Sequence, residues 1–474
     1  MSDAVLTSGR ARPLGPAAPA ALAAALSLGV AVAIGAAAWL EGETVALAIL
    51  LATAALPVLI FVGAQTLRWQ PGFAVPVGVA LLVVQCATFR IRDIADKSID
   101  IQILLKLACI GGMLLLAATA LRPPRVGRAE QGVQPAGLFV WIAFLGYTIL
   151  TSLYSVSPAT SFIETVSNLA AFLYLWGLQR QLGADRLVRA LIASCVVLCG
   201  LSLVAYVAMP ELGRMADWVD GAFVPTSRLS GVFGTANAAG AAAAIGVILT
   251  VLFSGLGPRR WTYWAILAPM LACLVLTNNR MAVFAVALAL AYVYLTRGGV
   301  ALKLAVGVLT AGVLALLIAN FGDAILGSLS RSGSAEEITS ATGRSRIWAV
   351  VLELWSQQPL FGYGEGSAKF ILPKHPLLFA AAAHAHNLYL NILFSGGIVG
   401  LGLFVTGLIM ALRTAIARRD HALIALFVFE CVYGLTEPSI GGLVSFLPIS
   451  IYALAVLTYD PQTRRRAPAF APGR

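Results

Sequence analysis

Charge is scarce in this chain. Of 474 residues only 11% are Asp, Glu, Lys or Arg, against 59% hydrophobic residues, and mean hydropathy is +0.89. A soluble domain carries roughly 25% charged residues, so a soluble fold is excluded. Acidic residues are the rarer sign, 21 against 32 basic, and no Asp-x-Asp pair falls on an outer loop, which removes the usual signature of a metal-dependent sugar transferase. The six cysteines all lie within apolar stretches and none forms a Cys-x-x-Cys pair, so they read as small packing residues and no disulfide framework is expected. Histidine is rarer still. There are four, and two of them stand together in His384-Ala385-His386-Asn387.

What is abundant is long apolar runs. About 14 segments have the roughly 20 apolar residues that cross a hydrocarbon core, with no alternation of the barrel-strand kind. Their approximate bounds are 18–40, 44–65, 72–89, 101–121, 136–155, 160–178, 187–209, 235–256, 261–278, 281–296, 301–320, 386–412, 421–436 and 441–458. The expected fold is an all-α polytopic membrane protein of about 12–14 transmembrane helices. The first span follows Arg10 and Arg12 and looks like a signal peptide, but further spans follow at once, so it is read as an uncleaved helix.

Orientation follows from Lys and Arg. With the N-terminus cytoplasmic, the larger basic share (Arg68, Arg122, Arg125, Arg128, Arg180, Arg186, Arg259, Arg260, Arg413, Arg418, Arg419 and Arg464 to Arg466) falls on inside loops. Both termini are then cytoplasmic. The resulting division is a tail over 1–17, N-terminal helices over 18–220, central helices over 221–320, a long outer loop over 321–385, C-terminal helices over 386–458 and a basic tail over 459–474. Outer cations, among them Arg214, Arg228, Arg280, Arg344, Arg346, Lys369 and Lys374, run against the topology preference and suit an anionic ligand. The alternative is contact with lipid phosphates.

The outer loop has internal order. Over Gly343 to Pro359, residues Ile347, Trp348, Val351, Leu354 and Trp355 share a helical stripe, which predicts an amphipathic helix lying in the membrane interface. Pro359 ends it and Gly362-Tyr363-Gly364-Glu365-Gly366 forms a turn. Arg228 and Arg280 each sit within a turn or so of an apolar span, where a guanidinium needs a partner. Glu430 and Lys106, both within apolar spans, are read as a pair.

On these residues the chain resembles the O-antigen ligase and polymerase superfamily, the Wzy-type C family that includes exopolysaccharide polymerases. The resemblance rests on Arg228-x-x-Gly231-x-Phe233-x-x-x-Asn237, on Asn279-Arg280, on Gly343-Arg344-x-x-Ile347-Trp348 with Pro359-Leu360-x-Gly362-Tyr363-Gly364, and on His386-Asn387 followed by Gly397 and Gly400. It covers mostly residues 220 to 440. Asn278-Asn279 stands where the family more often has serine, and His384 is an extra imidazole upstream of His386.

The resemblance implies an inner-membrane glycosyltransferase with its outer loop in the periplasm. It would move a glycan from undecaprenyl pyrophosphate to an acceptor hydroxyl, on lipid A-core or on a growing surface polysaccharide. His386 would be the general base, and Arg228 and Arg280 would stabilise the departing pyrophosphate. Arg344, Arg346, Asn237, Asn387, Trp348, Tyr363, His384 and Glu437 would contact substrate, with Glu437 orienting an arginine. Inversion at the anomeric carbon is expected. So are membrane lipids and other polysaccharide-assembly proteins as partners, and a lateral opening for the carrier near residues 228 and 280. Nucleic acid is not an expected partner. No cofactor is expected, and no metal, because histidines two apart do not share a helix face. The rival reading is a transporter or flippase for polyprenyl-linked sugars. It predicts midplane charges, broken helices and an internal repeat; the sequence has few intramembrane charges and no convincing repeat, and the polar constellation lies on one side only.

Overall fold

In the computed structural model the described residues are 71–88, 100–120, 136–219, 222–297, 344–378, 383–438 and 440–459. The expected spans 18–40, 44–65 and 301–320, both termini and the first part of the outer loop lie outside them. Two compact units divide between Ala80 and Leu81, inside the first described helix. That helix, α1 (Pro71–Cys86), is followed in the second unit by α2 (Ile101–Ala120), α3 (Ala136–Thr151), α4 (Pro158–Leu182) and α5 (Ala184–Ala208). Then come α6 (Ala236–Phe253), α7 (Trp261–Leu276), α8 (Arg280–Arg297), α9 (Arg344–Gln357), α10 (Leu388–Ala417), α11 (His421–Tyr433) and α12 (Phe446–Thr458).

Each expected span within the described residues coincides with a helix, because a run of apolar residues in lipid can satisfy its backbone only internally. Among the described residues, five helical stretches, Ile101–Ala120, Ala136–Tyr154, Ala184–Ala208, Ala236–Phe253 and Leu388–Ala417, are long and apolar enough to cross a membrane, and five shorter apolar helices accompany them. The chain is a multi-pass α-helical membrane protein. α2 packs on α4, α3 on α10, α7 on α6 and α8 on α11. α6 is the most enclosed of the long apolar helices, with 72% of its span buried. Its alanines allow this, since small side chains admit close helix approach: a Cβ on Gly246 would lie 2.3 Å from the Met270 sulfur.

Two elements depart from expectation. Residues 214–229, read as a connection, form an antiparallel hairpin of β1 (Arg214–Val219) and β2 (Ala222–Leu229). Helix α9 is amphipathic as expected, but its apolar stripe is covered by protein: Ile347, Val350 and Val351 are buried in one cluster with Ala368, Leu372, Ala385 and Phe394. The expected Glu430 and Lys106 pair does not form. Glu430 accepts a hydrogen bond from the Ser450 hydroxyl, while the ionisable neighbours of Lys106 are Cys86, Cys109 and Asp100.

Glycine explains how α9 and the turn after it are held. Gly397 interrupts α10 with φ +62° and ψ −163°, which frees backbone groups on both sides of the break. The segment after α9 takes them up. Tyr363 and Gly364 donate to the carbonyls of Phe394 and Ser395, both at 2.9 Å, and Ile398 donates to the Pro359 carbonyl at 2.9 Å. A Cβ on Gly397 would fall 2.2 Å from the Leu360 oxygen, and one on Gly362 2.4 Å from the Phe394 oxygen. Only glycine fits this seam.

Candidate active site

The polar residues singled out in the sequence converge where several helix ends meet. α6, α8 and α10 begin at this end, and α7 and α11 finish at it. Each beginning presents unpaired N–H groups and the positive pole of the helix dipole, a setting that favours an anion. The beginnings are set by local chemistry. Thr235 caps α6 by accepting from Ala238 N, and Asn387 caps α10 by accepting from Leu390 N.

Glu437, 8% exposed, is the hub. Its Oε1 accepts from Asn237 Nδ2 at 2.6 Å and from Arg344 Nη2 at 2.7 Å, and His386 Nδ1 lies 3.7 Å away. Asn237 passes the network on, since its Oδ1 accepts from Arg228 Nη2 at 3.3 Å. Arg228 is itself buried and also donates from Nε to the Thr277 carbonyl at 3.1 Å. Five residues far apart in sequence thus form one chain of contacts: Arg228, Asn237, Glu437, Arg344 and His386. Burial pushes the Glu437 carboxyl up, but contact with His386 and the charges of His386 and Arg344 outweigh it and hold the group below its ordinary value.

The histidine pair is shaped by backbone. His386 has φ +48°, in the left-handed region where a side-chain-bearing residue is uncommon. The turn folds its N–H back onto His384 Nδ1 at 3.3 Å and brings the two rings to 4.0 Å. The helix-spacing argument against their cooperation therefore does not apply, because neither histidine is on a helix. His384, His386 and Glu437 each place one ligand-type atom within 4.8 Å of the others. Burial first, then the neighbouring His386, lowers the His384 imidazole to about 4, so it is neutral near pH 7. The intervening Ala385 is pinned from both sides: its N–H donates to Asn391 Oδ1 at 3.4 Å, and its carbonyl accepts from Trp348 Nε1 at 3.0 Å.

Other expected residues fall elsewhere. Arg280 is half-buried at the start of α8, next to Asn279. Arg346 is exposed on α9, two residues from Arg344. Tyr363 belongs to the scaffold: its ring stacks on Phe394 at 4.9 Å and its hydroxyl donates to the Leu354 carbonyl. Asn387 caps α10 and donates to the Leu435 carbonyl at 3.1 Å. Lys369 is paired with Glu164 at 2.5 Å, so an internal carboxylate, not an external anion, accounts for that cation. Arg228 faces packed protein, so its side chain does not mark an opening to lipid.

Sequence reading passed over Tyr433 and Asn391, and used Asn279 only as part of the pattern Asn279-Arg280. Tyr433 donates to the Asn237 carbonyl at 2.8 Å, and Asn279 Nδ2 donates to the same carbonyl at 3.1 Å and to the Tyr433 hydroxyl at 2.9 Å. These hold Asn237 in place. Tyr433 and Asn391 lie inside apolar runs and carried no signal of their own in the sequence.

The sequence pattern of the O-antigen ligase family matches residues 265–405. An O-antigen ligase of Pseudomonas aeruginosa is 33% identical over 112 residues, 23% of this chain and 26% of that protein; the match thus spans about a quarter of the relative's length. The family match includes Arg280, Arg344 and His386, while Arg228, Asn237 and Glu437 lie outside it and meet Arg344 and His386 only in three dimensions. Over residues 265–405 the chain is thus similar to the O-antigen ligase family.

Proposed function

We propose that this protein is a bacterial inner-membrane glycosyltransferase of the O-antigen ligase or polymerase type. It transfers a glycan from undecaprenyl pyrophosphate to an acceptor hydroxyl on the periplasmic side, without a metal and with inversion. The observation that carries this reading is the contact chain Arg228–Asn237–Glu437, with Arg344 and His386 on the same carboxylate, set among the N-terminal ends of three helices.

A hydroxyl is a weak nucleophile, and a positioned imidazole raises its reactivity by accepting the proton as the bond forms. His386 Nε2 is the accepting atom in this scheme. Nδ1 faces Glu437, and a closure of less than an ångström from 3.7 Å would give the hydrogen bond that stabilises the imidazolium. Such contacts are commonly long before substrate binds. The leaving pyrophosphate is a stable anion that needs charge more than a proton. Arg228 and Arg280, with the helix ends, supply it, and Arg344 helps to seat the donor. Acceptors compatible with this chemistry are lipid A-core and a growing polysaccharide.

The test is a chromosomal His386→Ala replacement with protein level checked by blot, reading surface polysaccharide and carrier-linked glycans. Long chains stranded on the carrier are expected for a ligase, and single repeats on the carrier for a polymerase. Normal surface glycan at normal protein level would remove His386 from the chemistry.

A further inference from the structure

We propose that His384, His386 and Glu437 form a binding site for one divalent transition-metal ion, with zinc and cobalt(II) as the best fits.

Three observations converge on this site. The donors are two imidazole nitrogens and one carboxylate oxygen within 4.8 Å of one another. Around a tetrahedral ion with bonds of about 2.0–2.1 Å, donors stand roughly 3.3 Å apart, so modest side-chain rotation closes the set. Next, His386 Nδ1 is buried with no hydrogen-bond partner and faces the carboxylate at 3.7 Å. It is one of nine such atoms among the described residues, and here it stands beside two further ligand-type atoms that an ion would join to it. Finally, the set is rigid. The left-handed turn at His386 brings the rings together, Ala385 is pinned by Asn391 and Trp348, and Asn387 caps the following helix. A preorganised set of ligands loses little on binding an ion.

The donor chemistry selects the ion. Two nitrogens and one oxygen suit zinc, cobalt(II) or similar ions, whereas magnesium and calcium prefer all-oxygen shells. Three protein ligands leave further coordination positions open on the side where the site is exposed. Arg344 already holds Glu437 Oε1 at 2.7 Å, so an ion competes with a guanidinium. The affinity is accordingly weaker than that of a structural zinc site, whose ligands have no such rival. The consequence rests on His386 acting as the base: a bound ion takes the imidazole and the carboxylate out of use and silences transfer until a chelator removes it.

The experiment uses the full chain in nanodiscs, stripped of metal and free of glycan. Titration with Co2+ is followed by visible ligand-field absorption, with Zn2+ as competitor. A saturable band at a single equivalent is expected, weakened about tenfold or more in His384→Ala and in Glu437→Gln. An unchanged titration in both variants overturns the site. So does a band that disappears with His375→Ala or His421→Ala, the two remaining histidines. Zinc-edge X-ray absorption on the wild-type protein does not depend on any variant folding; an imidazole-containing N/O shell is expected, and a sulfur shell or a shell without imidazole overturns it. Transfer assays with Zn2+ and then EDTA separate the two readings. Reversible inhibition supports both, metal binding without inhibition supports the site and removes the base role of His386, and failure to bind overturns the site while leaving that role untouched.

Discussion

Two neighbouring regions treat their backbone differently. In the seam after α9, backbone groups freed by the break at Gly397 meet partners at 2.9 Å, and the Glu365 carbonyl accepts from the hydroxyls of both Ser155 and Ser161. At the Glu437 hub the contact with His386 is 3.7 Å, one imidazole nitrogen has no partner, and the backbone at His386 is left-handed. In the seam the backbone groups are paired, and the atoms left without a hydrogen-bond partner are carboxylate oxygens, Glu365 Oε1 and Glu164 Oε2; in the hub the atom left over is the His386 Nδ1. Strain and incomplete pairing persist only where the surroundings enforce them. Under the proposed function, the seam would aim Arg344 and the histidine turn, and substrate would complete the contacts of the hub.

Breaking the hub gives the largest effect. Glu437→Gln keeps shape but removes the charge that would stabilise an imidazolium and hold Arg344, and transfer is expected to fall by about 10²–10⁴ with little change in thermal stability. Measured rates within threefold of wild type, at equal membrane level, would contradict the role given to Glu437.

Breaking the seam acts on folding instead. Gly397→Ala places a methyl where the Leu360 oxygen is 2.2 Å away, in a conformation that disfavours any side chain. A loss of about 3 kcal/mol is expected, read as a lower melting temperature in detergent, with activity falling only as folded protein is lost. If Gly397→Ala instead melted normally and lost transfer selectively, the seam would be part of the chemistry and the contrast would fail.

Much of this architecture was legible before the structure. Apolar runs locate helices because lipid leaves the backbone no other solution, and the α9 stripe and the glycine turn follow from period and punctuation. The hub was half legible. Each residue carried a local oddity, such as an arginine beside an apolar run, but the joining of Asn237 to Glu437 across 200 positions is a tertiary fact. Three points were illegible for identifiable reasons. A helix-spacing rule was applied to His384 and His386, which are in a turn. The hairpin over residues 214–229 has irregular pairing between Arg214 and Ala216 and no alternating pattern long enough to read. Nothing in the sequence ties Glu164 to Lys369, 205 positions away.

The seam contains a pH-sensitive group that sharpens the comparison. Burial first, then the nearby Glu164 charge, raises Glu365 from 4.5 to about 7, against opposing contributions from Lys369, the Gly366 backbone and Ser395. Because the folded protein binds this proton more tightly than the unfolded chain, stability falls as pH rises from 4.5 towards 7, and the full penalty is present above about 7. A shift of this size corresponds to about 3 kcal/mol. Wild-type melting temperature should rise between pH 7.5 and pH 5 by more than that of Glu365→Gln, which has no proton to lose. Parallel profiles would mean that Glu365 is not the titrating group.

The smallest effect tests how the two regions communicate. Trp348 donates from α9 to the Ala385 carbonyl, and that carbonyl sits between the two histidines. Trp348→Phe keeps an aromatic ring against the same neighbours and deletes one hydrogen bond, which costs about 1 kcal/mol. If the seam aims the histidine turn through this bond, the loss should appear in the transfer rate, by several-fold, more than in apparent donor affinity, because the base shifts while the arginines stay. A change confined to melting temperature would show that α9 only covers the site, and that the left-handed turn at His386 is held by Asn391 and the α10 cap alone.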